Sequence, residues 1–492
     1  MRLPMSYGAA LALLIPLSAS AATSCEQALK AIGKDLADVT CFVSTDLTTK
    51  NPATTPADNS IAGLPPFAFT PIRDRDVIAP SALKRPPITV AVPGVQIQAR
   101  IASDPTGQAR FLLRLPDNWN GRLVVAGASG TRSECNGDFV WSDYVVQKGY
   151  AYASQNKGVL NLQLSNAADP LGCRLFPGSA TFVRFYDNEA GQPFSRWADF
   201  IVKAGEIATE GVKSAYGNPP RYTYAVGTSN GGYQVRRAVE SGKKLFDGGV
   251  DWEGTFVDEH APNLLTDLPA AVLNFPDYVA SGNSATSTAA KNIMAAGYPP
   301  DIVTATSSLW LTNSNSFWEI TACQWQKRLD PTYDTYGSGL GNYNYVQRLS
   351  FSNVGDEMTS FETTGDIQAP LITVAGTMDA LLPIDHHARA YARKVSEVQD
   401  GGPGKGNGPG KGKKQPEYRL YEVQNGNHVD TNQDIFPSLE LIAPHAQYAF
   451  EQLVNFVEKK VALPPHQCIP RGGAIAAAPA QPGHCASPFV GP

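Results

Sequence analysis

The chain has 492 residues, of which 17% are charged, and its formal net charge is −5 at pH 7. A chain of this length can bury a large core, either as two or three domains or as one α/β unit with insertions. The sparse charge leaves no broad basic surface, so we expect no nucleic-acid partner and instead a small or oligomeric ligand of neutral or apolar character.

The N-terminus has the pattern of an export signal. Arg2 precedes an apolar run over residues 9–17, and residues 19–21 read A-S-A, the A-x-A pattern that signal peptidase cuts. The run is about half the roughly 20 residues that span a bilayer, so it predicts a removed signal over 1–21 and no membrane anchor. We therefore expect a secreted or periplasmic protein. The sequence does not indicate an oligomeric state.

The chain contains seven cysteines. In an exported protein they predict disulfides, because an oxidising compartment lets these bonds persist. Proximity in the sequence suggests three short-loop pairs, which are Cys25 with Cys41, Cys135 with Cys173, and Cys468 with Cys485. This interpretation leaves Cys323 over. No C-x-x-C or His/Cys cluster predicts a zinc site, and we expect neither a metal nor a cofactor.

Strand and helix patterns alternate along most of the chain. After a Pro- and Thr-rich stretch, which we place in an N-terminal surface segment over 22–65, residues 88–102 and 109–116 show the period-2 alternation of antiparallel strands. The later predicted elements are strands at 121–129, 222–227, 246–252, 370–379 and 418–423 and helices at 194–216, 231–242, 388–395 and 445–461. This order predicts a mostly parallel central sheet with helices on both faces.

The alternation stops between the two halves of this predicted core, which we place at 66–252 and 367–460. Residues 253–366 are rich in aromatic side chains and predict a cap, or lid, inserted into the core. Most of these aromatics are expected to form the cap's own core. The Gly- and Lys-rich stretch 401–414 predicts a flexible surface loop, and residues 461–492 a C-terminal tail.

The sequence Gly227-Thr228-Ser229-Asn230-Gly231 lies between a predicted strand and a predicted helix. A G-x-S-x-G pattern in this context forms a sharp turn that lifts the serine above the sheet, where it can act as a nucleophile. The same five residues could form an ordinary turn, but the strand-to-helix context favours a nucleophile. Ser229 is therefore the predicted catalytic serine.

A catalytic serine needs a histidine as base and an acid that orients the histidine. Asp379 directly follows a predicted strand, and His428 lies in a loop after the next predicted strand, which gives the chain order Ser, Asp, His of α/β-hydrolases. Asp251 and Asp385 are rival acids, but neither follows its strand as directly as Asp379. We predict Ser229, Asp379 and His428 as a catalytic triad.

An acyl-transfer site also needs two N–H donors for the developing oxyanion. The backbone of Asn230, directly after the nucleophile, should supply one donor. The second should come from the loop after an earlier strand, where Gly127 and Ala128 are both candidates. The sequence does not choose between these two residues.

Together, these residues resemble the α/β-hydrolase superfamily from about residue 66 to 460. Within it, the export signal, the G-T-S-N-G-G elbow, the G-T-M-D segment, the N-G-N-H loop and the long cap are similar to the tannase/feruloyl esterase group. The resemblance implies an α/β-hydrolase fold and hydrolysis of esters of hydroxyaromatic acids. Relatives in that group also cleave aromatic monoesters from plastics.

The chain departs from this group at two places. Many members carry a cysteine just before the nucleophile and another just after the histidine, joined as a disulfide, whereas this chain has Thr228 and Val429. Members often have an Asp-rich calcium loop in the cap, but the nearest candidate, residues 330–334, has too few carboxylates to predict a metal.

Three other functions remain open from the sequence. Secreted hydrolases of hydroxyalkanoate oligomers have a similar serine elbow, so an aliphatic oligomer or polyester is an alternative substrate. A secreted serine peptidase could use the same fold, and matched ester and amide substrates would separate it from an esterase. A non-catalytic binding protein on a hydrolase scaffold is the third alternative, although it would not need the complete triad.

Overall fold

The computed structural model describes residues 23–56, 70–130, 133–159, 163–165, 181–183, 194–333, 343–401 and 415–491. The predicted signal, Cys173 and nearly all of the predicted loop 401–414 lie outside these residues. The strands are β1 (Leu36–Ser44), β2 (Gly94–Ile101), β3 (Arg110–Pro116), β4 (Arg122–Gly127), β5 (Ala151–Gln155), β6 (Gln163–Ser165), β7 (Thr181–Val183), β8 (Tyr222–Thr228), β9 (Gly248–Trp252), β10 (Leu371–Gly376), β11 (Tyr418–Val423) and β12 (Gln467–Ile469).

The helices of the described residues are α1 (Cys25–Ile32), α2 (Pro71–Asp74), α3 (Asp143–Val146), α4 (Arg196–Tyr216), α5 (Asn230–Glu240), α6 (Leu264–Ala280), α7 (Thr288–Ala295), α8 (Leu309–Asn313), α9 (Glu319–Leu329), α10 (Tyr345–Arg348), α11 (Val354–Thr359), α12 (Ala388–Gln399) and α13 (Ala443–Lys459). Within the part of the chain that the structure describes, none of these helices is both long and apolar enough to span a membrane.

The central sheet contains ten of the described strands, in the order β1-β2-β3-β5-β4-β8-β9-β10-β11-β12. The pairs from β1 to β5 are antiparallel, and every pair from β5 to β12 is parallel. The predicted mostly parallel sheet and its two antiparallel strands are therefore confirmed, although β2 begins at Gly94 and not at residue 88 as predicted. The strands β6 and β7 form a separate antiparallel pair.

Side-chain alternation along the strands produces two apolar layers. In β4, Leu123 and Val125 belong to the core beneath α1, α4, α5 and α12, whereas Val124 and Ala126 belong to the core beneath α3 and α13. Because consecutive strand residues point to opposite faces, a continuous apolar run is buried on both sides. Helices thus cover both faces of the sheet.

Helix α4 illustrates how the sequence sets an element's length. Its apolar residues recur every three or four positions, which buries one side of the helix against the sheet. Gly217 follows the last turn with a φ of 79°, a left-handed conformation that ends helices and that glycine adopts without a steric penalty. The helix predicted at 194–216 is confirmed.

Between β9 and β10 the described residues form helices α6–α11 and contribute no strand to the central sheet. Their aromatic side chains pack into one apolar cluster, in which Trp310, Trp318 and Trp325 are buried. The cluster also contains Met378 and Ala380 from the loop after β10. The core of this predicted cap is therefore continuous with a loop of the sheet.

Both ends of the chain extend the sheet beyond the predicted core limits. The N-terminal segment 22–65 was expected to lie on the surface, but β1 within it pairs with β2 as an edge strand. In the predicted tail, β12 pairs with β11 at the opposite edge. These pairings join residues far apart in sequence, which local patterns do not reveal.

Two of the three predicted disulfides are confirmed. Cys25 is bonded to Cys41, and Cys468 is bonded to Cys485, which ties α1 to β1 and β12 to the tail. The predicted bond between Cys135 and Cys173 is wrong, because Cys135 is a buried free thiol. Cys323, which the pairing left over, is disulfide-bonded. Pairing sequence neighbours failed here because a disulfide needs two cysteines that are close in the fold, which proximity in sequence does not ensure.

A buried ion pair stabilises the antiparallel side of the sheet. Arg114 on β3 and Asp138 are fully buried, and their nearest charged atoms are 2.8 Å apart. The guanidinium also donates to Gln96 Oε1, Ser142 Oγ and the Thr54 carbonyl, at 2.9, 2.5 and 3.0 Å. The charge is therefore fully hydrogen-bonded, a condition under which a buried ion pair is tolerated.

We expect Arg114→Met to destabilise the protein by about 3–5 kcal/mol, because the Asp138 carboxylate would remain buried without its cation. Urea unfolding followed by tryptophan fluorescence measures this effect. Arg100→Met on neighbouring β2 is the control, since Arg100 pairs with Asp38 at a solvent-exposed site. Equal shifts for the two variants would contradict the role assigned to the buried pair.

Candidate active site

Four residues lie just beyond the carboxyl ends of neighbouring strands. Ser229 follows β8, Glu253 follows β9, Asp379 lies in the loop after β10, and His428 lies in the loop after β11. In an open parallel sheet this edge is where ligands bind. The structure thus brings the three predicted triad residues to one edge of the sheet, together with a glutamate that was not predicted.

Ser229 forms the sharp bend between β8 and α5. Its φ of 61° and ψ of −123° are unfavourable for a residue with a side chain, and such strain is typical of a nucleophile elbow. Its N–H donates to the Trp252 carbonyl at 2.8 Å, and its carbonyl accepts from the Tyr233 N–H at 3.1 Å. The side chain is partly exposed. The bend is held from both sides while the serine stays accessible.

Glycines allow the elbow to approach the neighbouring strand. A Cβ atom placed on Gly127, at the end of β4, would lie 2.8 Å from the Gly231 carbonyl oxygen. Gly227 is the register partner of Gly127 on the adjacent strand β8, and a Cβ atom placed on Gly227 would lie 2.3 Å from the same Gly231 oxygen. The G-x-S-x-G glycines are therefore needed for packing between β4, β8 and α5.

Asp379 is oriented by backbone donors in its own loop. Its Oδ1 atom accepts hydrogen bonds from the N–H groups of Leu381 and Leu382, at 2.8 and 2.7 Å. Its Oδ2 atom lies 2.7 Å from His428 Nδ1, and both side chains are buried. The predicted acid and the predicted base are therefore in direct contact.

The loop of His428 is fastened to the loop of Asp379. The Met378 N–H donates to the Gly426 carbonyl at 2.7 Å, and the Asn427 side chain donates to the Met378 carbonyl at 2.6 Å. These bonds flank the acid in one loop and the histidine in the other. They fix the distance between the two side chains.

Glu253 is the acid that the sequence did not single out. It is buried, and its Oε2 atom lies 3.4 Å from His428 Nδ1. The two rival acids lie elsewhere, because Asp251 pairs with buried Arg236 at 2.6 Å and Asp385 pairs with Arg389 at the surface. A signal for Glu253 was present, since it directly follows the predicted strand that precedes the cap.

The two carboxyl groups favour a protonated histidine. Burial by itself lowers the pKa of His428, but Asp379 and Glu253 more than offset burial and raise this pKa to about 10. Burial, followed by the charge of Asp379, raises the pKa of Glu253 well above its usual value. The site therefore stabilises the imidazolium that forms when a histidine takes a proton from a nucleophile.

The predicted oxyanion donors are linked by a glutamine. Asn230 is the first residue of α5, and Ala128 directly follows β4. Gln234 Nε2 donates to the Ala128 carbonyl at 2.9 Å and to Asn230 Oδ1 at 3.0 Å, and its Oε1 atom accepts from Gln155 at 2.6 Å. Gln234 thus holds the elbow and the loop after β4 together. Whether Gly127 or Ala128 offers the second donor stays open.

The predicted cap contacts the acid's loop directly. Trp318 donates its indole N–H to the Ala380 carbonyl at 2.8 Å. Asp267 on α6 faces two histidines that precede α12, with His386 Nδ1 3.0 Å and His387 Nε2 3.4 Å from its oxygens. The loop of Asp379 is therefore hydrogen-bonded to a residue of the predicted cap.

Among the described residues, one group has ligand atoms close enough together to hold a metal ion. It consists of Glu253, Asp379 and His428, whose possible ligand atoms lie within 4.8 Å of one another. In the structure these atoms face each other, and His428 Nδ1 is engaged by Asp379. A metal at this position would compete with the contact between acid and base. We therefore assign no metal to the site.

A family model described as 3HB-oligomer hydrolase (3HBOH) matches residues 269–489, a range that contains Asp379 and His428 but not Ser229. D-(−)-3-hydroxybutyrate oligomer hydrolases of Burkholderia thailandensis and Burkholderia mallei are 30% identical over 135 residues. That stretch is 26% of this chain and 17% of the length of those relatives.

Solved structures are similar over a larger part of the chain. Tannin acyl hydrolase from Aspergillus niger superposes with a TM-score of 0.51 at 12% identity, covering 89% of this chain and 87% of that one. Feruloyl esterase B from Aspergillus oryzae superposes with a TM-score of 0.45 at 15% identity, covering 79% and 86%. Together with the strand order, the first similarity confirms the predicted α/β-hydrolase fold, and at this identity it shows the fold alone.

Replacing Gln234 by methionine should lower kcat for a short-chain nitrophenyl ester about tenfold and change KM little, because the residues proposed to bind the oxyanion would lose their common support. Steady-state kinetics on the purified variant measure both constants. Gln147→Met is the control, since Gln147 accepts from the Thr89 N–H and donates to the Asp143 carbonyl, neither of which belongs to the elbow or to the loop after β4 that Gln234 joins. An equal effect of both substitutions would contradict the role of Gln234.

Proposed function

We propose that the protein is a serine-dependent carboxylic-ester hydrolase. The observation that carries this proposal is the strained, accessible Ser229 on the strand-to-helix bend, at the same sheet edge as the buried contact between Asp379 and His428. His428 is also 3.4 Å from Glu253, and Glu253 directly follows Trp252, which accepts the Ser229 N–H. These contacts support a base that lies near the proposed nucleophile.

In the proposed mechanism, Ser229 Oγ attacks the acyl carbon while His428 takes its proton. Nδ1 of His428 is bonded to Asp379, so Nε2 is the ring nitrogen that exchanges the proton. The N–H of Asn230 and that of Gly127 or Ala128 stabilise the oxyanion. His428 then protonates the leaving alcohol, and water hydrolyses the acyl-enzyme by the same steps in reverse order.

For the substrate, we propose esters of hydroxyaromatic acids, which the resemblance to the tannase/feruloyl esterase group suggests. The tannin acyl hydrolase from Aspergillus niger is similar in fold, and this similarity does not bear on the substrate. Oligomers of 3-hydroxybutyrate are the second candidate, because the 3HB-oligomer hydrolase model matches residues 269–489. Both substrates contain carboxylic esters and would be cleaved by the same steps.

We also propose that the protein is secreted or periplasmic. Two disulfides of short sequence separation, 16 and 17 residues, support an oxidising compartment. The predicted signal over 1–21 supports the same location. Mass spectrometry of the mature N-terminus from culture supernatant and periplasm would test it.

Ser229→Ala should abolish ester hydrolysis and labelling by a fluorophosphonate probe while leaving the circular dichroism spectrum unchanged, because the nucleophile contributes no buried packing. Peptide mass mapping of the labelled wild-type protein should place the probe on Ser229. Ser241→Ala, at the other end of α5, is the control and should retain activity and labelling. Retained hydrolysis by Ser229→Ala would overturn the proposed function.

Substrate class is tested by comparing kcat/KM for methyl gallate, methyl ferulate and a 3-hydroxybutyrate trimer, with an amide of gallic acid as a matched peptidase probe. The hydroxyaromatic proposal expects the two methyl esters to be the better substrates and the amide to be inert. Preference for the trimer would favour the oligomer hydrolase instead. Turnover of the amide at a rate similar to that of the ester would indicate a peptidase.

A further inference from the structure

Glu253 has an unusual backbone and an unusual environment. Its φ is 50°, a left-handed value that is rare for a residue with a side chain. Its N–H donates to the Val374 carbonyl at 3.0 Å, which continues the pairing of β9 with β10 before the chain turns into the cap. The backbone of Glu253 is therefore held by the sheet, and this fixes where its side chain begins.

The two oxygens of Glu253 have different surroundings. Oε1 accepts a hydrogen bond from the Gly376 N–H at the end of β10. Oε2 is buried, makes no hydrogen bond among the described residues and lies 3.4 Å from His428 Nδ1. A role limited to joining β9 to β10 would need the first oxygen only. The second oxygen faces the ring nitrogen that Asp379 also contacts.

The neighbouring residues leave space for this carboxyl. A Cβ atom placed on Gly376 would lie 2.3 Å from the Gly426 carbonyl oxygen and 2.7 Å from Glu253 Oε1, so the glycine admits both the loop after β11 and the carboxyl. Burying a carboxyl is unfavourable unless it is hydrogen-bonded or paired. The left-handed backbone of Glu253 and the burial of its Oε2 atom beside His428 Nδ1 together indicate a position kept for this contact.

We propose that Glu253 is a second acid of the active site, which shares His428 Nδ1 with Asp379 and holds the imidazolium in place during proton transfer. Glu253 is a positioning residue, since it acts through His428. When the Ser229 Oγ–H bond breaks and the His428 Nε2–H bond forms, the positive ring lies between two carboxyl groups that approach the same edge. This inference rests on the proposed serine-hydrolase function and extends it.

The groups that bear on His428 come from two elements. Asp379 approaches from the loop after β10 and Glu253 from the end of β9. Tyr298 and His387, from other elements packed near the site, interact with Asp379. Glu253 and Asp379 also act on each other, so each carboxyl is altered alone and then both together.

The test is a cycle of four proteins: wild type, Glu253→Gln, Asp379→Asn and the double variant. We expect Asp379→Asn to keep residual kcat/KM that depends on Glu253, so the double variant should fall at least about tenfold below it, a coupling typical of neighbouring residues. Glu253→Gln alone should lower kcat more than it changes KM. A double variant with the same activity as Asp379→Asn would overturn the proposal.

The pH profile separates positioning from a purely structural role. Both carboxyls raise the pKa of His428, so removing one lowers this pKa. Because the base must be neutral to accept a proton, the acid limb of kcat/KM should move to lower pH in Glu253→Gln. Glu240→Gln is the matched control, since Glu240 is a buried glutamate that accepts from the Gly365 N–H, at 2.9 Å, and contacts no histidine. An unmoved limb in Glu253→Gln would contradict the inference.

Two further measurements keep the outcome clear. If Glu253→Gln does not fold, as judged by circular dichroism, Glu253→Asp replaces it in the cycle. Glu253→Asp keeps a carboxyl one methylene further from the ring, and should lower kcat while leaving the acid limb closer to that of the wild type. Fluorophosphonate labelling of Ser229 is recorded in each variant. Absence of labelling in the wild type would refute the serine mechanism, whereas normal labelling with no coupling would refute only the role of Glu253.

Discussion

The burial of His428 is the constraint on which the rest of the site depends. An imidazole removed from water needs a partner for its N–H, and Asp379 supplies this partner at 2.7 Å. Acids can reach the ring from two neighbouring strands only because β9, β10 and β11 pair in parallel and end at the same edge. In such a low-dielectric position each carboxyl acts strongly on the ring, which suits the ring for stabilising a transferred proton.

The sequence predicts the triad residues because each is specified by a local pattern. Ser229 lies between a strand and a helix that are contiguous in the chain, and Asp379 and His428 each follow an apolar strand. Glu253 also directly follows a predicted strand, but this pattern did not distinguish it from Asp251. Asp251 and Glu253 are two positions apart, so strand alternation alone gives them the same face. The structure separates them through the left-handed backbone at Glu253 and the pairing of Asp251 with Arg236.

The parts of the fold that the sequence did not predict depend on contacts between distant residues. The edge strand β1 is specified by pairing with β2, about fifty residues away in the chain, and its own alternation is interrupted by an irregular register. The short β12 has only three residues and becomes a strand through β11. The same limit explains Cys135, since proximity in sequence does not tell which cysteines the fold brings together.

The segment between β9 and β10 also packs against the loop of Asp379. Met378 and Ala380, on either side of Asp379, pack in the apolar cluster of the cap, and Trp318 donates to the Ala380 carbonyl. Moving the cap away would expose these side chains and break that hydrogen bond, so the loop of the acid would lose its packing on one side. The predicted cap is therefore part of the packing that holds Asp379 beside His428. This packing links the orientation of His428 to the folding of a segment that begins directly after β9.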